Sequence, residues 1–406
     1  MSDESPSVVV RLVPIMTVVF SAFVVTGLVM PVLPLYVHER LGFSELVVGV
    51  VAGAQFGAAL LTRFWAGNLA DRRGAKYAVV AGLLLGSAAG LLYLLSLHFA
   101  SAPLTSIVIL IFGRALFGAA ESAVITGALS WGLVLGGAEK AGTVMAWIGT
   151  AMYAAFAGGA PAGSALYGAF GFSGIAVATI VIPLLTLLVI MPLPSISPIG
   201  GTRRAFTEVL SAVAMPGAGL ALSSFGFGAI TTFVALLFAE RRWDLAWLAF
   251  TALSVTFILG RLLFGPLPDR IGGARVASIF LLIEAAGLAL IWKAPSPALV
   301  YVGAALTGFG YSLVYPGFGV EAVRNVPPQS RGLATGAYTA FLDLALGVAN
   351  PTLGLIAHFG GVRSAFLASA LVVLGASAIA LRLLRISKRP PSGARILLRE
   401  SAQTSD

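Results

Sequence analysis

The chain has 406 residues, of which 58% are hydrophobic and 10% charged, with a net charge of +9 and a mean hydropathy of +0.98. Soluble globular chains carry about a quarter charged residues, so this composition excludes a soluble protein and leaves one that resides in lipid. Cysteine is absent, which excludes disulfides, thiolate metal sites and cysteine nucleophiles. His38, His98 and His358 each stand near the end of an apolar run without metal-binding spacing.

Apolar runs bounded by turn and charge signals predict twelve helices, over 8–37, 44–66, 77–97, 104–133, 142–169, 173–192, 207–238, 244–265, 276–292, 298–322, 332–357 and 364–385. Their lengths match the roughly 20 apolar residues that cross a bilayer core, and in lipid the backbone must satisfy its own hydrogen bonds, so they are read as helices. The first run is too long for a signal-peptide core and is followed by no small-residue cleavage site. The second and third spans carry glycines every four residues, Gly49, Gly53 and Gly57 and then Gly82, Gly86 and Gly90, stripes that let helices approach closely. Pro14, Pro31, Pro161, Pro216, Pro316 and Pro351 are expected to bend helices or free carbonyls.

An ionisable group at membrane depth costs roughly 2.5–3.5 kcal/mol on insertion scales and is functional or paired. Arg114 and Glu121 lie on one face of the fourth span, about 10 Å apart along the axis, with Gly118 between them. They are expected to bracket a ligand or exchange a proton, against the plainer reading of a static buried pair. Glu284 is central in the ninth span, where packing and function weigh equally. Asp343, in the eleventh, is expected to serve coupling or substrate binding, and the fifth-span counterpart of Asp343 at an offset of 190 is Tyr153. Glu321 can reach water at the end of the tenth span. Arg63 and Arg261, at the ends of the second and eighth, are expected to support the adjoining loop or to snorkel to headgroups. Ser122, Thr126, Ser223, Ser224, Phe225, Phe227, Tyr311, Ser312 and Tyr315 are candidate cavity-lining groups, a mixture that suits a sugar-like or amphipathic organic ligand.

With both termini cytoplasmic, 17 of the 25 Lys and Arg fall in cytoplasmic segments, 5 in the opposite loops and 3 inside helices. That asymmetry fixes the orientation, so the basic balance reports topology and contact with anionic lipid, not nucleic acid. The tail "RLLRISKRPPSGARILLR" (382–399) is expected to rest on headgroups.

"RFWAGNLADRRG" (63–74) aligns with "RLLFGPLPDRIG" (261–272) at an offset of 198, with Arg63/Arg261, Gly67/Gly265, Leu69/Leu267, Asp71/Asp269, Arg72/Arg270 and Gly74/Gly272 in agreement. A second echo pairs Gly142 and Pro161 with Gly332 and Pro351 at an offset of 190. The chain therefore divides into a six-helix bundle (1–191), a linker (192–206), a second six-helix bundle (207–385) and a basic tail (386–406). Parallel halves of this kind are a recurrent plan for secondary transporters.

The stretch Gly67-x-Leu69-Ala70-Asp71-Arg72-x-Gly74-x-Lys76, echoed after the eighth span, resembles the signature loop of the major facilitator superfamily. Arg114-x-x-x-Gly118 resembles that superfamily's fourth-span motif, and "PVLP" (31–34) the paired prolines of its drug:proton antiporters. Two positions depart: Ala75 stands where the loop has a basic residue, and "GGAPAGSALYG" (158–168) matches the fifth-span antiporter motif only in Pro161 and small residues. The resemblance implies an all-α fold of two pseudo-symmetric six-helix bundles, similar to bacterial sugar- or arabinose-efflux-like permeases. It implies that Asp71 docks on the eleventh-span start near Gly332, and Asp269 on the fifth-span start near Gly142, where helix N-termini offer free N–H groups and partial positive charge. Gly67 and Gly265 are expected to admit close helix approach, Gly74 and Gly272 to turn the chain, and Arg72 and Arg270 to add ionic contacts.

The function expected is proton-coupled efflux of a small organic solute across the bacterial inner membrane by alternating access, with a proton gradient in place of any cofactor and the monomer as working unit. A sugar or organic-acid importer is the alternative within transport; a receptor or membrane enzyme is the alternative outside it. No nucleophile–base grouping, P-loop or Rossmann signature is present in the sequence.

Overall fold

The computed structural model describes residues 8–136, 141–193, 195, 206–324, 326 and 331–387, and these form helices and short connections with no strand among them. The first helix, Val8–Val29 (α1), is interrupted where Pro31 stands and resumes as Leu33–Leu35 and a wide π-helical turn, Tyr36–Arg40. There follow Glu45–Arg73 (α2), Ala75–His98 (α3) and Pro103–Gly136 (α4). Ala141–Ile190 is continuous in hydrogen bonding but leaves helical geometry at Gly171, φ 62° and ψ −160°, which divides it into arms 141–170 (α5) and 172–190 (α6).

Opposite ends of α3 show that the chain reverses at Gly171. Lys76, at the start of α3, donates to the carbonyls of Met191 (2.8 Å) and Leu193 (2.6 Å) just past the end of α6. Phe172, at the other end of α6, packs on Tyr93 near the end of α3. Eleven helices are long and apolar enough to cross a membrane; counting both arms of the folded one gives the twelve crossings that the hydropathy pattern predicts.

The second half comprises Phe206–Arg241 (α7), Trp247–Phe264 (α8), a short helix Leu267–Ile271, Gly273–Lys293 (α9), Pro297–Val323 (α10), Arg331–Gly360 (α11) and Val362–Ser387 (α12). Helix α10 breaks at Leu313, because the ring of Pro316 removes a helical hydrogen bond and crowds the carbonyl four residues back. Pro266 and Pro268 likewise separate the short helix from α8, whereas α2 stays helical through Arg73, so the first copy of the repeated motif is mostly helix and not loop. Gly74 and Gly272 then turn the chain with φ of 101° and 97°, a region closed to most side chains.

The two halves repeat one another more closely than the sequence alignment shows. A Cβ at Gly118 of α4 would lie 1.8 Å from the Gln55 carbonyl oxygen of α2; one at Gly308 of α10 would lie 2.0 Å from that of Leu253 of α8. Gly127 approaches the Ala75 carbonyl (2.8 Å) as Gly317 approaches that of Gly273 (2.9 Å). These contacts are related by the same offsets, 190 for α4/α10 and 198 for the partner helices. Gly118→Ala therefore forces α2 off α4, and overpacking of this kind costs about 1–3 kcal/mol. Thermal unfolding in detergent is expected to shift downward for both Gly118→Ala and Gly308→Ala, with transport lost first in Gly118→Ala because Gln55 moves with its backbone; wild-type stability in both would refute the packing.

The halves meet along two seams. Gly49 and Gly53 of α2 press on the Asn350 carbonyl and the Pro351 ring of α11, and Gly354 on the Glu45 carbonyl. His358 of α11 lies 3.4 Å from Glu45. In the other seam Thr251 of α8 donates to the Ala157 carbonyl of α5 (2.9 Å), and Tyr153 stacks on Phe257 with ring centroids 3.5 Å apart. These contacts run from mid-depth towards the face that carries Arg40, Arg241, Arg242 and Lys293. The opposite face, called the basic face below, carries Arg72, Arg73, Lys76, Arg270, Arg275 and Arg324.

Candidate functional site

Arg114 and Glu121 are both buried, and they are joined through a third residue. Arg114 donates to the side-chain oxygen of Gln55, whose amide nitrogen donates in turn to one oxygen of Glu121. Thr26 of α1 donates to the other Glu121 oxygen, and Arg114 also reaches the Tyr93 hydroxyl at 3.2 Å. Gly118 makes this possible by letting α2 close on α4 between the two charged residues. The network thus draws on all of α1 to α4, and Gln55, Thr26 and Tyr93 are members that a search confined to ionisable groups misses. Gln55 was visible in principle as the one glutamine inside a predicted span.

Thr26, Gln55 and Arg114 line a cavity of about 30 Å³ together with Thr231 and Thr232 of α7. That volume holds a water molecule, and it brings the network to the border with the second half.

Asp343 is buried and paired with Arg63 of the other half, whose Nε lies 2.8 Å from Oδ2 and whose Nη2 binds the same oxygen. Arg63 therefore neither supports the motif loop nor reaches headgroups: it lies ten residues short of the end of α2 and spans the α2/α11 seam. Arg261, its counterpart, also turns inward. Its guanidinium lies 5.1 Å from the Phe257 ring centroid and 6.0 Å from that of Tyr315. Glu321 caps the start of α9 by accepting from the Ala274 amide (3.2 Å) and pairs with Arg324.

Glu284 is fully buried against Gly226 of α7, and neither of its carboxyl oxygens has a hydrogen-bond partner among the described residues. Among the candidate lining groups, Tyr311 shares a contact with Ser224 (3.2 Å) and stacks on Phe227, while Tyr315 meets Thr339 at 2.8 Å. Ser122, Thr126, Ser223 and Phe225 are joined to this cluster by no hydrogen bond or ring contact among the described residues. Ser312 bonds the Phe309 carbonyl behind it.

Several motif residues depart from expectation. A Cβ at Gly67 would meet nothing within 4 Å, and one at Gly265 would meet only the Arg261 carbonyl of its own chain turn, so neither admits a neighbouring helix. Arg72 and Arg270 are exposed and form no ion pair among the described residues. Asp71 is exposed at the end of α2. Asp269 is exposed in the short helix and makes no hydrogen bond or ion pair among the described residues. The surroundings of Gly142 and Gly332, the expected receivers of Asp269 and Asp71, lie outside the described residues. Ala75, where the resemblance has a basic residue, is buried against α4, a position without room for a long cation.

Twelve apolar crossings in two repeats, with charged groups held at membrane depth where the repeats meet, define a polytopic secondary transporter. The chain belongs to the Major Facilitator Superfamily (MFS), whose sequence model matches residues 15–250 and 217–402. An uncharacterized MFS-type transporter of Salmonella typhimurium is 42% identical over 375 residues, covering 92% of this chain and 97% of that protein. A second, from Pseudomonas aeruginosa, is 41% identical over 399 residues, covering 95% and 96%. The crystal structure of the nucleoside transporter NupG superposes with a TM-score of 0.70 at 16% identity, covering 93% of this chain and all of that one, a likeness of fold.

Proposed function

We propose that this transporter couples export of a small organic solute to proton entry across a bacterial inner membrane, with the basic face and both termini cytoplasmic. The observation that carries the reading is the Arg114–Gln55–Glu121–Thr26 network, a carboxyl held at membrane depth beside a cavity shared by the two halves. A carboxyl in that position can load a proton in one state and release it in the other, because Thr26 and Gln55, which hold it, line the border that is remade as the halves rock. The distribution of Lys and Arg between the two faces supports the orientation. In this scheme the Arg63–Asp343 pair is a latch of the state whose far face is closed, and Asp71 and Asp269 secure the cytoplasm-closed state.

The test is solute movement in inverted inner-membrane vesicles with and without an imposed pH gradient. Uptake into acid-inside vesicles, abolished by collapsing the gradient, is the expected result for a solute panel containing the substrate. Gradient-driven loss of solute from the vesicles would make the protein an importer. Flux indifferent to the gradient would remove proton coupling, and no flux across a broad panel would favour a receptor.

A further inference from the structure

Among the described residues Arg63, Arg114 and Arg261 stand at membrane depth, away from the helix ends, and the structure compensates two of them. Arg63 has the carboxylate of Asp343. Arg114 has Gln55 and Tyr93, with Glu121 one hydrogen bond further on. Arg261 makes no ion pair and no hydrogen bond among the described residues, although it is as deep as Arg63 and only partly exposed.

Its surroundings are aromatic. Phe257 and Tyr315 present rings to the guanidinium; Tyr153 and Tyr311 pack on Phe257, and Tyr338 on Tyr315. One guanidinium nitrogen lies 2.6 Å from where a Cβ would stand on Gly149, so the group rests on the bare backbone of α5. The internal repeat shows what is missing. Arg261 corresponds to Arg63 at an offset of 198, and Tyr153 corresponds to Asp343 at an offset of 190. Where one seam holds an arginine and an aspartate, the other holds an arginine and a phenol.

We propose that Arg261 binds the carboxylate of an organic anion with a flat apolar body, which supplies at this seam the negative charge that Asp343 supplies at the other. The inference rests on the transport reading and narrows its substrate class. A guanidinium presents a planar fork that fits a carboxylate with two parallel hydrogen bonds. The rings of Phe257 and Tyr315, with Tyr153 stacked on Phe257, form an apolar surface beside the guanidinium for the rest of the molecule. The hydroxyls of Tyr311, Tyr315 and Tyr338 are engaged with Ser224, Thr339 and the Tyr315 carbonyl. Tyr153 makes no hydrogen bond among the described residues and is the donor left for the ligand. Because Arg261 belongs to one half and Tyr153 to the other, the anion joins the halves as it binds.

Purified full-length protein in lipid nanodiscs, titrated with benzoate, cinnamate, cyclohexanecarboxylate and the uncharged isostere benzamide, tests this directly. Thermal shift and intrinsic fluorescence are expected to show carboxylate binding at least tenfold tighter than benzamide. Arg261→Met removes that preference, Arg261→Lys weakens it by losing the fork, and Tyr153→Phe weakens it several-fold. If Arg261→Met does not fold, the other two variants decide. Equal binding of benzamide and benzoate, unchanged binding in the Arg261 variants, or no binding by any of the three carboxylates overturns the proposal. The vesicle experiment separates the two claims: transport of neutral solutes alone keeps the transporter and removes the anion site. Carboxylate binding that depends on Arg261, without flux, does the reverse.

Discussion

Glu121→Gln is expected to abolish gradient-driven accumulation, by about a hundredfold or more, while exchange of solute across the membrane without a gradient survives. The substitution keeps the size of the side chain and one acceptor oxygen, so the contact from Thr26 can persist. It replaces the other oxygen with an amide that points donors at the donating nitrogen of Gln55, and it leaves nothing that can take up a proton and release it. A hundredfold loss corresponds to about 2.7 kcal/mol at 1.36 kcal/mol per tenfold, well within what removal of a coupling group delivers. Normal accumulation in Glu121→Gln would place the proton elsewhere, with Glu284, buried and without a hydrogen-bond partner, the next residue to test.

The second large effect concerns the latch between the halves. Asp343→Asn leaves the partly buried Arg63 without a counter-charge; breaking a fully buried pair from one side costs on the order of 3–5 kcal/mol, which is the upper bound here. The variant is expected to lose most of its transport and to unfold at a lower temperature in detergent. The double variant Arg63→Met/Asp343→Leu removes both charges together, and because a buried pair can be exchanged for apolar side chains at little cost, its stability should return while transport does not. A double variant that transports normally would reduce the pair to a packing element. The absence of native cysteine gives the companion measurement a clean background: a single cysteine on α11 should become more reactive from the far face in Asp343→Asn, since the seam is held less firmly.

The fold was largely legible in the sequence because lipid imposes a simple grammar. Long apolar runs, loops marked by charge and a repeated motif located all twelve crossings, and the break between the fifth and sixth fell between their predicted bounds, at Gly171. The membrane-depth residues Arg114, Glu121, Glu284 and Asp343 were legible for the same reason, since a charge in an apolar run stands out. Their partners were not. Nothing in one sequence indicates that Gln55 stands between Arg114 and Glu121, because the contact depends on how α2 and α4 are set against one another by Gly118. Arg63 and Arg261 were misjudged because proximity to a loop in sequence suggests proximity to headgroups. The helix continues seven residues further than hydropathy indicated at Arg63, and that extra length carries the guanidinium into the interior. The repeat was visible at six matched positions of the motif, yet the equivalence of Gly118 with Gly308 becomes apparent only when their contacts are compared.

The α2/α11 seam has a consequence for how far the gate travels. At Gly49 and Gly53 the α2 side of it carries no side chain, and its backbone lies on the Asn350 carbonyl and the Pro351 ring, so few side chains have to disengage there when the helices roll. The lever arm from Gly49 to Arg73 is about 36 Å at 1.5 Å per residue, and a roll of roughly 10° swings its end by about 6 Å. That displacement is about the breadth of one aromatic ring. In the proposed rocking cycle a modest rotation about this glycine-lined line of contact is enough to admit a small flat molecule.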